Sequence, residues 1–237
     1  MKRENLPQIG GYVLAGGRSS RMGRDKALLE LGGKPLVRHA VTKLRRLCAE
    51  VSILGNDRAL EAYAPLVPDV HEMCGPIGGI EAGLRSSKYE WNLILPVDAP
   101  FLPTFLLDDW LWSVLHKPRN IRLSMLYLDS IPQPALLIIH REITPYLTAS
   151  LERGELKLLS ALRSASEEIA KKLNVPSKKV FEEIQWDDLY APKVKNKSEP
   201  WRSITEAQRE NVSRWFANLN TPEEFAEAEK HVDALDT

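Results

Sequence analysis

Short apolar runs alternate with helix-like segments along most of the chain, and each early run ends in Gly, Asn or Asp. That rhythm is the signature of βαβ units, in which a buried parallel strand is followed by a helix that carries the chain back across the sheet. Strands are predicted at 11–15 (GYVLA), 51–54 (VSIL), 92–97 (NLILPV), 123–128 (LSMLYL) and 135–139 (ALLII). They are short and apolar on both faces, as strands covered by helices on two sides are. The fold class expected is therefore α/β, a three-layer Rossmann-like arrangement with a mainly parallel central sheet.

The intervening segments carry the helical period. Leu36, Ala40, Leu44 and Leu47 recur on one face after Pro35, with Val37, Val41 and Cys48 beside them and Arg38, Lys43, Arg45 and Arg46 assigned to other faces. Further helices are expected at 77–87 and 103–116, the second with Pro at its first turn. Thr221-Pro222-Glu223-Glu224 reads as a capping box, after which Phe225, Ala228, Val232 and Leu235 trace one helical face. Residues 165–215 are denser in paired charges and read as a helix, a short strand near 180–184 and a flexible loop containing APKVKNKSEP from Ala191. The 237 residues suit a single domain, 1–237, with an extended charged insertion at about 164–215.

Lys plus Arg and Asp plus Glu both number 32, so nothing in the net charge supports a nucleic-acid binder. The zero hides an uneven distribution. Residues 1–150 carry 18 basic and 15 acidic side chains, the remainder 14 and 17, and 18–46 alone has nine basic against two acidic. Such a segment suits an anionic ligand. Two cysteines, Cys48 and Cys74, without a CxxC, support neither a disulfide framework nor a zinc site. No apolar stretch approaches the ~20 residues of a transmembrane helix, and a cytoplasmic protein that does not bind a membrane is expected.

Three motifs carry chemistry. LAGGRSSRMGRDK, from Leu14, follows the first strand; Gly16 and Gly17 allow a sharp turn and close backbone approach to a nucleotide, and Arg18, Arg21 and Lys26 supply charge for phosphates. Neither GxxxxGK[ST] nor GxGxxG occurs, and a Gly-rich turn with a solvated basic rim is the alternative. PVDAP, from Pro96, puts Asp98 at the carboxyl end of an apolar strand, where a divalent cation and its phosphates would lie, unless Asp98 closes a turn or caps the next helix. GPIGGI, from Gly75, opens a helix with three glycines, which suits either ligand approach or tight packing.

Taken together, LAGGRSSRMGRDKALLELGGKPL, GPIGGI, PVDAP and NLNTPEE from Asn218 resemble the molybdenum cofactor guanylyltransferase family over roughly residues 10–160 and 216–235. LAGG differs from the LAAG more typical of molybdopterin cytidylyltransferases. The resemblance implies a nucleotidyltransferase fold and a reaction in which GTP and molybdopterin give the guanine dinucleotide cofactor and pyrophosphate, with Mg²⁺ as the cofactor. It implies GTP contacts at Leu14, Ala15, Gly16, Gly17, Lys26, Asn56, Asp69 and Asp98, with Asp98 the Mg²⁺ ligand. Lys26, Arg21 and Asp98 are the catalytic candidates; Gly75, Gly79, Gln133, Asn218 and Asn220 are candidates for the pterin side or the remainder of the site. Partners of the cofactor-biosynthesis or molybdoenzyme-chaperone kind are implied for delivery of a labile product.

The implied chemistry agrees with the residues. A phosphate monoester with a second pKa near ~6 is already largely ionised at neutral pH, so no general base is required of the protein. The demand is to bring two polyanions together and stabilise charge on the α-phosphate and the leaving pyrophosphate. Competing readings are a cytidylyltransferase or sugar-phosphate nucleotidyltransferase of the same fold, and a non-catalytic nucleotide-binding adaptor, which the joint presence of Lys26 and Asp98 disfavours.

Overall fold

The computed structural model describes residues 7–16, 25–71, 73–116, 120–190 and 204–236. Among the described residues nine strands form in chain order: β1 (Ile9–Leu14), β2 (Glu30–Leu31), β3 (Lys34–Pro35), β4 (Glu50–Leu54), β5 (Leu66–Val67), β6 (Trp91–Pro96), β7 (Leu123–Leu128), β8 (Ile131–His140) and β9 (Phe181–Gln185). Seven make one sheet of order β5-β4-β1-β6-β8-β7-β9. β5, β4, β1 and β6 pair in parallel, β8 runs antiparallel to β6 and β7, and β9 is parallel to β7. The expected α/β layout is therefore present, with one strand reversed.

The helices are α1 (Leu36–Arg45), α2 (Pro76–Ser86), α3 (Thr104–Leu115), α4 (Thr144–Glu152), α5 (Leu158–Leu173), α6 (Trp186–Leu189), α7 (Glu206–Glu210) and α8 (Pro222–Ala228). Side chains alternate across the sheet, so each strand feeds two cores. Val13, Ile53 and Leu95 face the layer of α1 and α3, together with Trp186, Tyr190, Trp215 and Phe216. Leu14, Leu54 and Ile94 face α2, α4 and α5. The chain leaves β1 through α1 on one face toward β4, then returns through α2 on the other face to β6. The order reverses between β1 and β6, and in open α/β sheets the crevice outside the carboxyl ends at that point is where ligands bind.

Several local expectations need correction. β8 is ten residues long rather than the five at 135–139, because a tight antiparallel hairpin through Asp129 and Ser130, both at positive φ, pairs its first residues with the end of β7. The capping box at Thr221 forms and Pro222 takes the first turn, yet α8 ends at Ala228. A 3₁₀ segment with a non-helical His231 follows, so Phe225, Ala228, Val232 and Leu235 share no continuous face, and Val232 is 36% exposed. Pro103 is the residue before α3, not within its first turn. The stretch near 180–184 does form a strand, β9, which extends the main sheet. The loop from Ala191 to Pro200 lies outside the described residues. No described helix is long and apolar enough to cross a membrane.

Lys43 requires the largest revision. It is fully buried, not on a solvent face of α1. Its position seven residues after Leu36 and three after Ala40 puts it on the apolar face, a spacing visible in the sequence.

Candidate active site

β1 ends at Leu14, and the peptide N–H groups of Ala15 and Gly16 both donate to Leu54 O at 3.1 Å. These two N–H groups are thus committed to the neighbouring strand. The same bonds fix the floor of the crevice, and Val97 N donates to Leu14 O at 3.1 Å to tie the end of β6 beside it. Gly17 and Arg21 lie outside the described residues.

The chain next enters a 3₁₀ turn, Lys26–Leu28, capped by Asp25, whose carboxylate accepts from Ala27 N at 2.9 Å. Burial holds the Asp25 carboxyl above its ordinary pKa, with the Ala27 hydrogen bond opposing the shift. This cap aims Lys26 across the crevice. Its ammonium donates to Asp98 Oδ2 at 2.7 Å and to Asn220 Oδ1 at 2.6 Å. The Lys26 and Asp98 side chains are only 15% and 23% exposed. Asp98 lies in the turn that follows β6 and does not cap the next helix; Thr104 N at the start of α3 is satisfied by Asp236 instead, at 2.6 Å.

Asn220 reaches this cluster on a strap formed by 216–236. Leu219 N donates to Asp98 O at 3.1 Å, so the strap is pinned to the same residue whose side chain holds Lys26. Glu224 accepts from Asn220 N and, at 2.9 Å, from Thr221 N, which ties the turn before α8 to the α8 cap. Farther along, Glu229 Oε1 accepts from Gly32 N at 3.0 Å. Gly32 and Gly33 have φ of +57° and +70°, the conformation that a two-residue turn between β2 and β3 demands. Asn218 is exposed, and its carbonyl accepts from Asn220 Nδ2 at 3.3 Å.

On the other side of β1, Asn56 and Asp69 come together: Asn56 Oδ1 accepts from Asp69 N at 3.0 Å. Burial raises the Asp69 pKa. Gly79, in the first turns of α2, lies against this carboxylate, since a Cβ there would stand 3.1 Å from Asp69 Oδ1 and 3.5 Å from Leu14 Cδ1. Gly75, with φ +65°, lets the backbone turn into α2. Gln133 sits four residues beyond the last β6–β8 pair, and its amide donates to Ile131 O at 3.3 Å within its own strand. The structure thus joins Lys26, Asp98 and Asn220 in one group, and Asn56, Asp69, Gly79 and Leu14 in a second.

Four of the nine basic residues of 18–46 can be followed to their partners among the described residues. Lys26 serves the crevice, but Lys43 donates to Pro100 O in the interior, Arg45 to Tyr63 O at 2.7 Å, and Arg46 to Asp236 Oδ1 at 2.9 Å. Those three cations hold the fold rather than face a phosphate. Lys43 and Asp236 were not singled out by the sequence motifs. Only the helical phase of Lys43 signalled its burial; Asp236 carries no local signal at all.

The model of the MobA-like NTP transferase domain family matches residues 11–168. Molybdenum cofactor guanylyltransferases from Vibrio atlanticus and Serratia proteamaculans are 33% and 34% identical to the chain, over 64% and 67% of it and 79% and 81% of their own lengths. The crystal structure of molybdopterin-guanine dinucleotide biosynthesis protein A from Archaeoglobus fulgidus shares the fold, with a TM-score of 0.67 at 19% identity over 96% of this chain and 100% of that one.

Proposed function

Because the chain belongs to the MobA-like NTP transferase domain family, we propose that it transfers GMP from GTP to the terminal phosphate of molybdopterin, giving the guanine dinucleotide cofactor and pyrophosphate. The observation that carries this reading is the convergence of Lys26, Asp98 and Asn220 at the carboxyl ends of β1 and β6. A phosphate oxygen of molybdopterin attacks the α-phosphorus, the bond from that phosphorus to the bridging oxygen breaks, and the electron pair leaves with pyrophosphate. No proton need be removed from the nucleophile.

Lys26 is the residue that stabilises the developing charge. Its ammonium is held by oxygens of Asp98 and Asn220, so it can exchange Asp98 for a phosphate oxygen and keep an oxygen partner. Asp98 and Asn220 offer a carboxylate and an amide oxygen to one cationic centre, and such hard oxygen donors suit Mg²⁺. Bound there, Mg²⁺ would neutralise charge on the triphosphate.

Base selection falls to Asp69. A carboxylate only accepts, and guanine presents a ring N–H and an amine on one edge, whereas cytosine presents an amine beside an acceptor nitrogen. Asn56 holds the Asp69 backbone by its N–H and Gly79 leaves room for the carboxylate. Leu14, Ala15 and Gly16 form the floor on which the nucleotide lies. Two cysteines outside any disulfide framework fit the cytoplasm, and the labile product calls for a protein acceptor such as a molybdoenzyme or its chaperone.

The test is turnover of molybdopterin with GTP, CTP, ATP and UTP in turn. Product is expected with GTP, and exclusive use of CTP would overturn the guanylyl reading. Lys26→Ala and Asp98→Ala are each expected to lower kcat by about 10² or more, the range found when a main electrostatic stabiliser is removed. An unchanged rate removes that residue from the mechanism.

A further inference from the structure

The residues that converge on Lys26 come from distant parts of the chain, and two charged groups outside the crevice fix where they meet. Lys43 is fully buried beneath the loop that follows β6, and its ammonium donates to Pro100 O, two residues after Asp98. On the far side of that loop, Asp98 O accepts from Leu219 N of the strap. The loop is thus gripped at two of its carbonyls, one by α1 and one by the strap.

The strap is fastened at its distal end by Asp236. One carboxylate oxygen accepts from Arg46 at 2.9 Å at the end of α1; the other accepts from Thr104 N at 2.6 Å at the start of α3. Arg46 also donates to Asp236 O at 3.0 Å. Burial pulls the Lys43 ammonium down to about 7, and the Asp236 carboxylate is close enough to oppose that shift and favour the charged form. One anion therefore ties the strap to both helices and compensates a buried cation that supports the Asp98 loop.

We propose that Lys43 and Asp236 are positioning residues for nucleotidyl transfer: Lys43 braces the Asp98 loop through Pro100 O, and Asp236 locks the strap so that Asn220 meets Lys26 and Asp98. The inference rests on the reading of Lys26, Asp98 and Asn220 as the transfer site. A role in stability alone does not account for the arrangement. Dehydrating a buried ammonium costs more than a hydrogen bond to a single carbonyl returns, and an apolar side chain of similar length would fill the space at the smaller cost of leaving Pro100 O without that donor.

The experiment compares Lys43→Met, Asp236→Asn and the double variant by thermal melting, by steady-state kinetics with GTP and molybdopterin, and by Mn²⁺ binding in the presence of GTP followed by electron paramagnetic resonance. Lys43→Met is expected to melt within a few degrees of the parent or above it, while kcat falls about tenfold, KM for GTP changes less than twofold and Mn²⁺ binds several-fold more weakly. Asp236→Asn keeps an acceptor for Thr104 N but loses the charge, and kcat is expected to fall by about threefold to tenfold. In the double variant the loss is expected to match the larger single loss, because both residues act through one loop and strap. Parental kcat and Mn²⁺ affinity in Lys43→Met, or losses that only follow the melting temperature, overturn the proposal. Should Lys43→Met fail to fold, Asp236→Asn, at a solvent-reached edge, decides by the same criteria. Parental turnover by Lys26→Ala and Asp98→Ala would refute the transfer site itself, an outcome independent of these variants.

Discussion

Gly79 and Gly83 lie one turn apart on α2, and replacing each with Ala is expected to have opposite consequences. In a helix interior the exchange contributes about 0.5–1 kcal/mol of backbone stabilisation at either position. At Gly79 the new Cβ stands 3.1 Å from Asp69 Oδ1, and its other neighbours, Leu14 Cδ1 and Leu54 Cβ, are at an ordinary 3.5 Å. The carboxylate is the free end of a side chain and can retreat by about 0.3 Å, so the fold absorbs the change. The nucleotide does not. Hydrogen bonds to a charged group are worth roughly 1.5–3 kcal/mol, and losing part of one, about 1 kcal/mol, weakens GTP binding about fivefold. At Gly83 the Cβ would stand 2.8 Å from Leu54 Cδ2 and 3.4 Å from Tyr12 Cδ1, both in the closed core under α2. Overpacking of this kind costs about 1–3 kcal/mol, and the helix gain leaves a net loss of about 1–2 kcal/mol, or roughly 2–8 °C in a chain of this size. Calorimetric titration with GTP and a thermal melt on each variant separate the two outcomes. If Gly79→Ala lowers the melting temperature as much as Gly83→Ala while binding GTP at parental affinity, the assignment of Asp69 to the nucleotide is wrong.

Two titrations give further tests. Burial raises the Asp69 pKa above 3.8, so as pH falls the carboxylate is lost as an acceptor earlier than an ordinary Asp would be, and GTP affinity is expected to decline at a correspondingly higher pH. The same shift means that ionised Asp69 subtracts stability above its folded pKa, a penalty that disappears below 3.8; Asp69→Asn should melt slightly higher at neutral pH and flatten the acid limb of the affinity profile. A flat profile in the parent would count against Asp69 as the base contact. Burial also pushes the Cys48 thiol up to about 12, so iodoacetamide at pH 8 is expected to leave Cys48 unmodified in the folded protein and to alkylate it after denaturation, as peptide mass mapping would record.

The parts of this protein legible in the sequence are those decided within about ten residues. Apolar runs without charge mark buried strands because an ionised side chain is costly to bury between two helical layers, and LSMLYL is β7 residue for residue, its one small hydroxyl, Ser124, satisfied by Trp110 Nε1. The Thr221 capping box forms because its donors and acceptors, on Thr221 and Glu224, lie within four residues of one another. Local pattern fails where a neighbour from elsewhere intervenes. The face expected through Leu235 breaks at His231, where Val232 turns to pack on the Gly32 side of the β2–β3 hairpin. Lys43 looks like a solvent cation by residue type, and only the loop closing over it makes a buried donor useful.

The sequence by itself determined the βαβ rhythm, the glycine-bearing loops and the presence of one lysine, one aspartate and an NLNT segment of a recognisable kind. Periodicity and backbone freedom are properties of neighbouring residues, so they can be read in order along the chain. The tertiary structure alone decided that Lys26 meets Asp98 and Asn220, which are 72 and 194 positions away, and that Asp236 closes the strap over α1 and α3. Such contacts exist only once the sheet order reverses between β1 and β6 and both cores have packed, because a hydrogen bond of under 3 Å depends on the position of every element between its partners.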